Sequence, residues 1–210
     1  MSSHDQPLAY GLEWDTNHII DDMPDADLVK FPGWENVAGW MSTRDIAIPP
    51  RIFFEANFQL LKTIDYPFNN VNWPIMSLKM FDALCAAGEM LPHREIRVTM
   101  LDDTIPTLQR LDEHGEPKQG VANDRFVCIQ LCEYTDALDW DRSEYERHPR
   151  LSGRSSWISK LVLKESPGGL PPLFRISANP MHLLVSATAR QKLEASGVKG
   201  CQFLPLDSIH

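Results

Sequence analysis

Two segments of this sequence carry the same helix start and helix end, and this pattern most limits what the chain can fold into. In the first, Ser77 can accept a hydrogen bond from the free amides of a helix start, and Gly88 can adopt the left-handed conformation that ends a helix. In the second, Ser186 and Gly197 stand at the same spacing of eleven residues, with Leu193 on the predicted inner face. The predicted inner face of the first helix is Leu78, Phe81, Leu84 and Cys85.

The two segments agree at further positions. When the serines are aligned, Leu84 falls on Leu193 and Ala86 falls on Ala195. This agreement hints at an internal duplication of a strand-helix-strand unit. A chance match explains it at least as well, because serine caps and glycine ends are common.

The rest of the chain predicts strands around a core. Residues 125–134 are apolar on both alternating faces, as in a central strand that is covered on two sides. Residues 51–58 fit either a strand or a short buried helix, residues 102–123 read as a loop or hairpin excursion, and residues 1–40 as short strands and loops. Further strands are predicted at 94–100, 157–163, 173–176, 182–185 and 201–204. The predicted fold is a single α+β domain over residues 1–210, with a mixed or antiparallel sheet and a few short helices.

Composition predicts a protein that stays in the cytoplasm. No stretch approaches the about 18 to 20 apolar residues that a membrane span requires. Residues 1–29 contain no lysine or arginine and no apolar run, unlike a signal peptide. In such a chain the four cysteines are expected to be buried, reduced thiols: Cys85, Cys128, Cys132 and Cys201.

The charge is negative and unevenly distributed. The whole chain has a net charge of -9, with -13 over residues 1–150 and +4 over residues 151–210. A negative surface repels nucleic acids and anionic membranes, so a basic protein partner that docks on the first part is favoured. The simpler alternative is that the acidic excess only keeps the protein soluble.

No motif for catalysis, a cofactor or a metal stands out. None of the seven histidines has a second histidine four positions away on a predicted helix. Cys128 and Cys132 would lie about 13 Å apart on one strand, too far to hold one ion. Glycine-rich phosphate loops and nucleophile elbows are missing as well. A dispersed site, for example from Asp139, Asp141 and His148, is the alternative left open.

The most informative polar segment is residues 136–147, which carries five acidic residues against two arginines. Carboxylates projecting from it could engage the lysines and arginines of a nuclease, and a second acidic run at 21–27 could extend the surface. The alternative is that Asp139 or Asp141 caps a turn while Arg142 pairs locally. The predicted partner-binding residues are Asp136, Asp139, Trp140, Asp141, Glu144 and Glu146, with Trp140 as an aromatic anchor.

Three stretches together resemble immunity protein family eleven of bacterial polymorphic toxin systems. They are the helix from residue 75 to residue 88, the strand that leads into residues 136–144, and the terminal series at 173–176, 183–186 and 197–200. The resemblance covers residues 74–204, while residues 1–70 correspond to a variable, acidic N-terminal portion. These stretches report the fold more securely than the partner.

The resemblance implies a single-chain α+β protein encoded beside a secreted toxin, which it neutralises by stoichiometric binding rather than turnover. It implies no cofactor and no enzymatic activity. For a cytoplasmic inhibitor, the expected toxin acts in the cytosol, as a nuclease does. Two alternatives remain: an adaptor or chaperone that carries an effector to a secretion system, and an enzyme with a dispersed carboxylate and histidine site.

Overall fold

A computed structural model describes residues 7–17, 23–29, 42–43, 47–165 and 167–208 of the chain. The strands are β1 (Ala9–Trp14), β2 (Ala26–Leu28), β3 (Arg51–Ala56), β4 (Ile75–Ser77), β5 (His93–Asp102), β6 (Ala122–Leu131), β7 (Glu144–Arg147), β8 (Ser155–Lys160), β9 (Leu173–Phe174), β10 (Leu184–Ser186) and β11 (Cys201–Leu204). The helices are α1 (Phe58–Leu61), α2 (Leu78–Cys85), α3 (Thr107–Arg110), α4 (Ala187–Ala195) and a short 3-10 helix (Leu206–Ser208).

These elements form one mixed sheet, one antiparallel sheet and a separate hairpin. The mixed sheet has the order β2-β3-β5-β6-β4, in which only β3 and β5 run parallel. The antiparallel sheet has the order β11-β1-β10-β9, and β7 pairs with β8. The predicted α+β class, with mixed and antiparallel sheets and a few short helices, is confirmed.

The predicted central strand is confirmed as β6, between β5 and β4. Phe126 and Cys128 face a core formed with β3, β5 and Trp73. Val127 and Ile129 face a different core, formed with α2 and α4. The strand is therefore covered on both faces, which explains why its sequence is apolar at successive positions.

The two matching sequence segments also share a topology. In the first, β4 and β5 flank β6, which is antiparallel to both; in the second, β10 and β11 flank β1 in the same manner. In each unit a helix follows the first flanking strand directly. The N-terminal strand β1 thus completes the C-terminal unit, so residues 9–14 lie in the interior of the antiparallel sheet.

The two helices pack on each other within the core shared by the two sheets. The inner face of α2 consists of Met80, Phe81, Ala83 and Leu84. The prediction was correct for Phe81 and Leu84 but wrong for Leu78 and Cys85, which are exposed. Helix α2 begins directly after β4, with no loop between them. Packing against α4 determines which side of α2 is buried, and the buried side differs from the predicted stripe by a rotation about the helix axis.

Both helices begin as predicted, but only one ends as predicted. The hydroxyl oxygens of Ser77 and Ser186 accept hydrogen bonds from the backbone N–H groups of Met80 and Ala189, respectively, each at 3.2 Å. Gly197 follows α4 with a φ of 62°, in the left-handed region. Gly88 has a φ of 156°, which is not the left-handed conformation, so that prediction was wrong; the backbone N–H of Ala86 closes α2 on the Asp82 carbonyl instead.

The remaining strand predictions are confirmed with shifted bounds. Residues 51–56 form strand β3 rather than a helix, and the excursion after β5 contains α3 and a bridge between Leu111 and Pro117. The strand predicted at 157–163 stops at Lys160, and Leu163 forms only an isolated bridge with Leu138. The predicted N-terminal strands are β1 and β2, whereas residues 30–41 lie outside the described residues.

The four cysteines are free, but they are not all buried. Cys128 lies in the core, and Cys201 is half-buried. Cys85 and Cys132 are exposed, because each stands where its helix or strand ends and leaves the core, so the expectation of buried thiols was wrong for both. Within the described ranges, no helix has the length and apolar character needed to cross a bilayer.

Candidate functional site

The acidic segment 136–147 crosses from the mixed sheet to the β7–β8 hairpin. Thr135 pairs with Ile176, and Leu138 pairs with Leu163 through single bridges. Ala137 and Leu138 are buried in a third core, formed with β8, β9 and the outer face of the antiparallel sheet. The apolar residues of the segment therefore hold it in place, and its carboxylates lie around this anchor.

Asp139 has a structural role in this segment. One carboxylate oxygen accepts the backbone N–H groups of Asp141 and Arg142, each at 3.2 Å, and its other oxygen lies 3.8 Å from the Arg142 guanidinium. The backbone N–H of Asp139 donates to Val162 at 2.9 Å. Asp139 therefore caps a turn and pairs locally, as in the alternative reading of the sequence.

Trp140 is half-buried at the edge of the third core rather than projecting from the surface. Its ring meets the Tyr145 ring edge to face, with centroids 4.7 Å apart. Tyr145 lies opposite Ile158 in the hairpin, and both contact the same core. The geometry gives Trp140 a packing role, with one part of the side chain left to line a cleft.

The other four predicted residues lie at the surface. Asp136 is 74% exposed and 3.7 Å from Lys164, and Glu144 is 69% exposed and 3.9 Å from Lys160. Asp141 and Glu146 are also exposed and form no ion pair with any described residue. These four carboxylates do little for the fold, since exposed ion pairs contribute at most about 1 kcal/mol.

An exposed aromatic residue accompanies them. In the hairpin, Trp157 lies directly opposite Glu146, and 47% of it is exposed. The alternation of strand side chains could have indicated this exposure. Ile158 is apolar and buried, and its neighbours in β8, which include Trp157, point outward. Aromatic side chains at such positions are typical anchors of protein interfaces. Trp157 is therefore a better candidate than Trp140 for an aromatic anchor.

An acidic groove lies beside Asp136. It has a volume of about 750 Å³ and is walled by the loop after α2, the proline and glycine turn before β9, and the start of α4. Its exposed charged residues are Glu89, Glu133, Lys164 and Glu165. The three glutamates form no ion pair within the described part of the chain, and Lys164 links the groove to Asp136. No local sequence signal identified these residues, because they come from three separate segments.

The second predicted acidic run does not form a surface at Asp25. This residue is buried, and its carboxylate accepts the backbone N–H of Phe68 at 2.9 Å. Asp27 is half-buried in β2, where burial and the nearby Glu55 charge raise the pKa of its carboxyl. Asp21 and Asp22 lie outside the described residues. A partner-binding role is therefore wrong for Asp25, because a fold-supporting hydrogen bond occupies it.

Of the three residues considered for a dispersed catalytic site, His148 and Asp139 are held in backbone turns, whereas Asp141 is exposed. The Nδ1 atom of His148 accepts the N–H groups of Arg150 and Leu151, each at 3.1 Å, and Asp139 caps its own turn. Among the residues that the structure describes, no three histidine, cysteine, aspartate or glutamate side chains stand close enough to hold a metal ion.

A separate titratable cluster lies at the antiparallel sheet, where Arg175 follows β9, His182 precedes β10 and Glu13 belongs to β1. The Arg175 guanidinium donates to the carbonyls of Pro180 and Met181 at 2.8 and 2.6 Å, and burial lowers its pKa. Burial raises the pKa of Glu13, although the positive charge of Arg175 opposes this. Burial and the same charge both lower the pKa of His182. The bonds of Arg175 close the turn before β10, so its position has a structural explanation.

Comparison with known proteins leaves the family open. No protein-family model matches the chain, and no curated protein matches its sequence. The resemblance to an immunity protein family therefore stays a prediction.

Proposed function

We propose that this protein is an immunity protein that neutralises a secreted bacterial toxin by binding to it directly. The binding surface, here named the acidic face, consists of the exposed carboxylates of the hairpin segment and of the adjoining groove. Its residues are Asp136, Asp141, Glu144 and Glu146 in the segment, Glu89, Glu133 and Glu165 in the groove, and Trp157 as the aromatic anchor.

The observation that carries this proposal is that five exposed carboxylates of the acidic face have no ion-pair partner among the described residues. They are Asp141, Glu146, Glu89, Glu133 and Glu165. Carboxylates that the fold does not use attract a basic partner over several ångströms and speed its association. A toxin that binds nucleic acid presents such lysines and arginines, so covering them would block its substrate as well.

The resemblance of residues 74–204 to immunity proteins supports the same proposal. A negative net charge of -9 agrees with a basic protein as the partner. In this proposal the protein acts in the cytoplasm, without turnover and without a cofactor, on a toxin that acts in the cytosol.

The first experiment is growth of a bacterial host that expresses the effector encoded beside this gene, with and without this protein. Rescue together with copurification of the pair is expected. Rescue without a complex would contradict direct binding and indicate enzymatic reversal of the damage. A complex in which the toxin stays active would contradict inhibition and favour an adaptor, while neither rescue nor a complex would refute the proposal.

Charge-reversed variants then test the acidic face. The pairs D141K/E146K and E133K/E165K are expected to weaken toxin binding by roughly tenfold or more, because they place like charges opposite a basic surface. The control D82K/E113K changes the net charge equally at exposed positions on α2 and in the excursion after β5. Equal losses in all three variants would show an effect of net charge alone and would contradict the assignment.

Two tryptophan variants separate binding from stability. Trp157→Ala is expected to weaken toxin binding by about tenfold or more. Trp140→Ala is expected to lower that free energy by about 2 kcal/mol, because it removes packing at the edge of the third core. Toxin affinity and urea unfolding are measured for both, and unchanged affinity of Trp157→Ala would remove it from the acidic face.

A further inference from the structure

The outer end of the β7–β8 hairpin carries a basic cleft of about 640 Å³. Arg147, Arg150 and Arg154 line it, together with Trp140 and His148. None of the three guanidinium groups forms a hydrogen bond or an ion pair with another residue in the described part of the chain. In a chain with a net charge of -9, three arginines without carboxylate partners around one space are a local exception that the fold does not explain.

The backbone that carries these arginines is closed by hydrogen bonds. The N–H of His148 donates to the Arg154 carbonyl at 2.9 Å, and the N–H of Arg154 donates to the Leu151 carbonyl at 3.3 Å. The His148 ring holds the other side of the loop, because its Nδ1 atom accepts the N–H groups of Arg150 and Leu151. With Nδ1 as an acceptor, Nε2 of the neutral ring is a donor. The loop is thus preorganised, which lowers the entropy cost of binding a ligand.

We propose that this cleft binds a small molecule that bears phosphate, with the arginines on the phosphate and Trp140 against the rest of the ligand. A phosphate carries up to two charges and at least three acceptor oxygens, so it suits several guanidinium groups better than a single carboxylate does. The cleft volume exceeds that of a phosphate alone and lies in the range of about 300–1,000 Å³ that is typical of small-molecule sites. Trp140, held by Tyr145, supplies an apolar wall.

This inference is independent of the proposed immunity function. The cleft is basic and lies at the loop end of the hairpin, whereas the acidic face attracts a basic partner. Binding of a phosphate compound and inhibition of a toxin can therefore be present or absent separately.

Isothermal titration calorimetry of the full chain tests the cleft with three probes: inorganic phosphate, pyrophosphate and AMP. Saturable binding of pyrophosphate or AMP is expected, with inorganic phosphate weaker. The variant R150Q/R154Q is expected to lose at least about tenfold in affinity, because two charge-assisted contacts are removed. The control is Lys160→Gln, which removes one positive charge from the same hairpin outside the cleft and is expected to keep the wild-type affinity.

The probes also identify what the cleft recognises. Tighter binding of AMP, lost selectively in Trp140→Phe, supports a ligand with a planar body against the tryptophan. Equal binding of pyrophosphate and AMP would contradict the contact between Trp140 and the rest of the ligand and would limit recognition to the phosphate. If neither compound saturates the wild type, or if Lys160→Gln weakens binding as much as R150Q/R154Q, the proposal is overturned, and an acidic side chain of a protein partner becomes the candidate occupant.

Discussion

Ser77 donates its hydroxyl hydrogen to the buried carboxylate of Asp65 at 2.7 Å, while the same hydroxyl caps helix α2. The second oxygen of Asp65 accepts the backbone N–H of Lys199 at 3.0 Å and the ammonium of Lys79 at 3.2 Å. Lys199 precedes β11, which belongs to the other strand-helix-strand unit. One carboxylate therefore joins the helix start of the first unit to the last strand of the second.

Replacing Asp65 by alanine should destabilise the protein by about 2 to 4 kcal/mol. The substitution leaves a buried hydroxyl and a backbone N–H without an acceptor, and both costs add to the lost hydrogen bonds. Urea unfolding measures the change, with Asp82→Ala on the exposed side of α2 as the control. A loss below about 0.5 kcal/mol would show that water replaces the carboxylate at no cost.

The acidic segment should respond very differently to substitution at Asp139 and at Asp141. Asp139→Ala removes the acceptor of two backbone N–H groups and should cost about 1 kcal/mol, as the loss of a helix cap does. Asp141→Ala, two positions further on, should change the free energy of unfolding by less than about 0.5 kcal/mol, because its side chain is exposed and unpaired within the described residues. Equal effects in thermal or urea unfolding would contradict the assigned roles.

The pH dependence of stability should report on Asp124. Burial raises the pKa of this carboxyl, but hydrogen bonds from Thr99 and Arg51 and the charges of Arg51 and Arg97 outweigh burial and hold it below the ordinary value of 3.8. A lowered pKa contributes stability above the ordinary value, and that stability is lost as the pH falls through the folded-state value. The difference in unfolding free energy between wild type and Asp124→Asn should thus be largest above pH 3.8 and shrink below it.

Arg97→Gln provides the matched variant for this measurement. Its guanidinium lies 3.3 Å from Asp124, whereas Arg51 and Thr99 keep their bonds to the carboxylate. A smaller change of the same sign is expected from urea unfolding at several pH values. A difference between wild type and Asp124→Asn that stays constant across this range would mean that the network does not lower the pKa.

A side chain should destabilise the protein more at Gly200 than at Gly120. Both have positive φ, 85° and 82°, so alanine is strained equally at the two positions. At Gly200 a Cβ atom would also meet Ile64 Cγ2 at 2.5 Å and the Tyr66 carbonyl oxygen at 3.0 Å, whereas nothing lies within 4 Å at Gly120. Gly120→Ala should cost about 1 kcal/mol and Gly200→Ala at least about 1 kcal/mol more. Similar thermal midpoints for the two variants would contradict this steric account.

The sequence by itself determined the features that depend on neighbouring residues. Ser77 and Ser186 start helices because their hydroxyl oxygens accept hydrogen bonds from the free backbone N–H groups of the first helical turn. This contact is local and does not depend on the rest of the fold. Strand β6 is covered on two faces because only such a place suits apolar residues at successive positions. The acidic character of residues 136–147 was equally evident, since it needs no knowledge of the fold.

The tertiary structure alone decided which of these charges are available. Asp139 and Asp141 look alike in sequence. In the fold, however, a carboxylate oxygen of Asp139 accepts two backbone N–H groups and caps a turn, whereas the carboxylate of Asp141 is exposed to solvent. The groove glutamates and the three arginines of the basic cleft come together only when distant or looped segments close on the cores. The place of β1 between β10 and β11 in the antiparallel sheet is decided in the same way. Such pairings depend on long-range burial and loop closure, which local periodicity and capping signals do not contain.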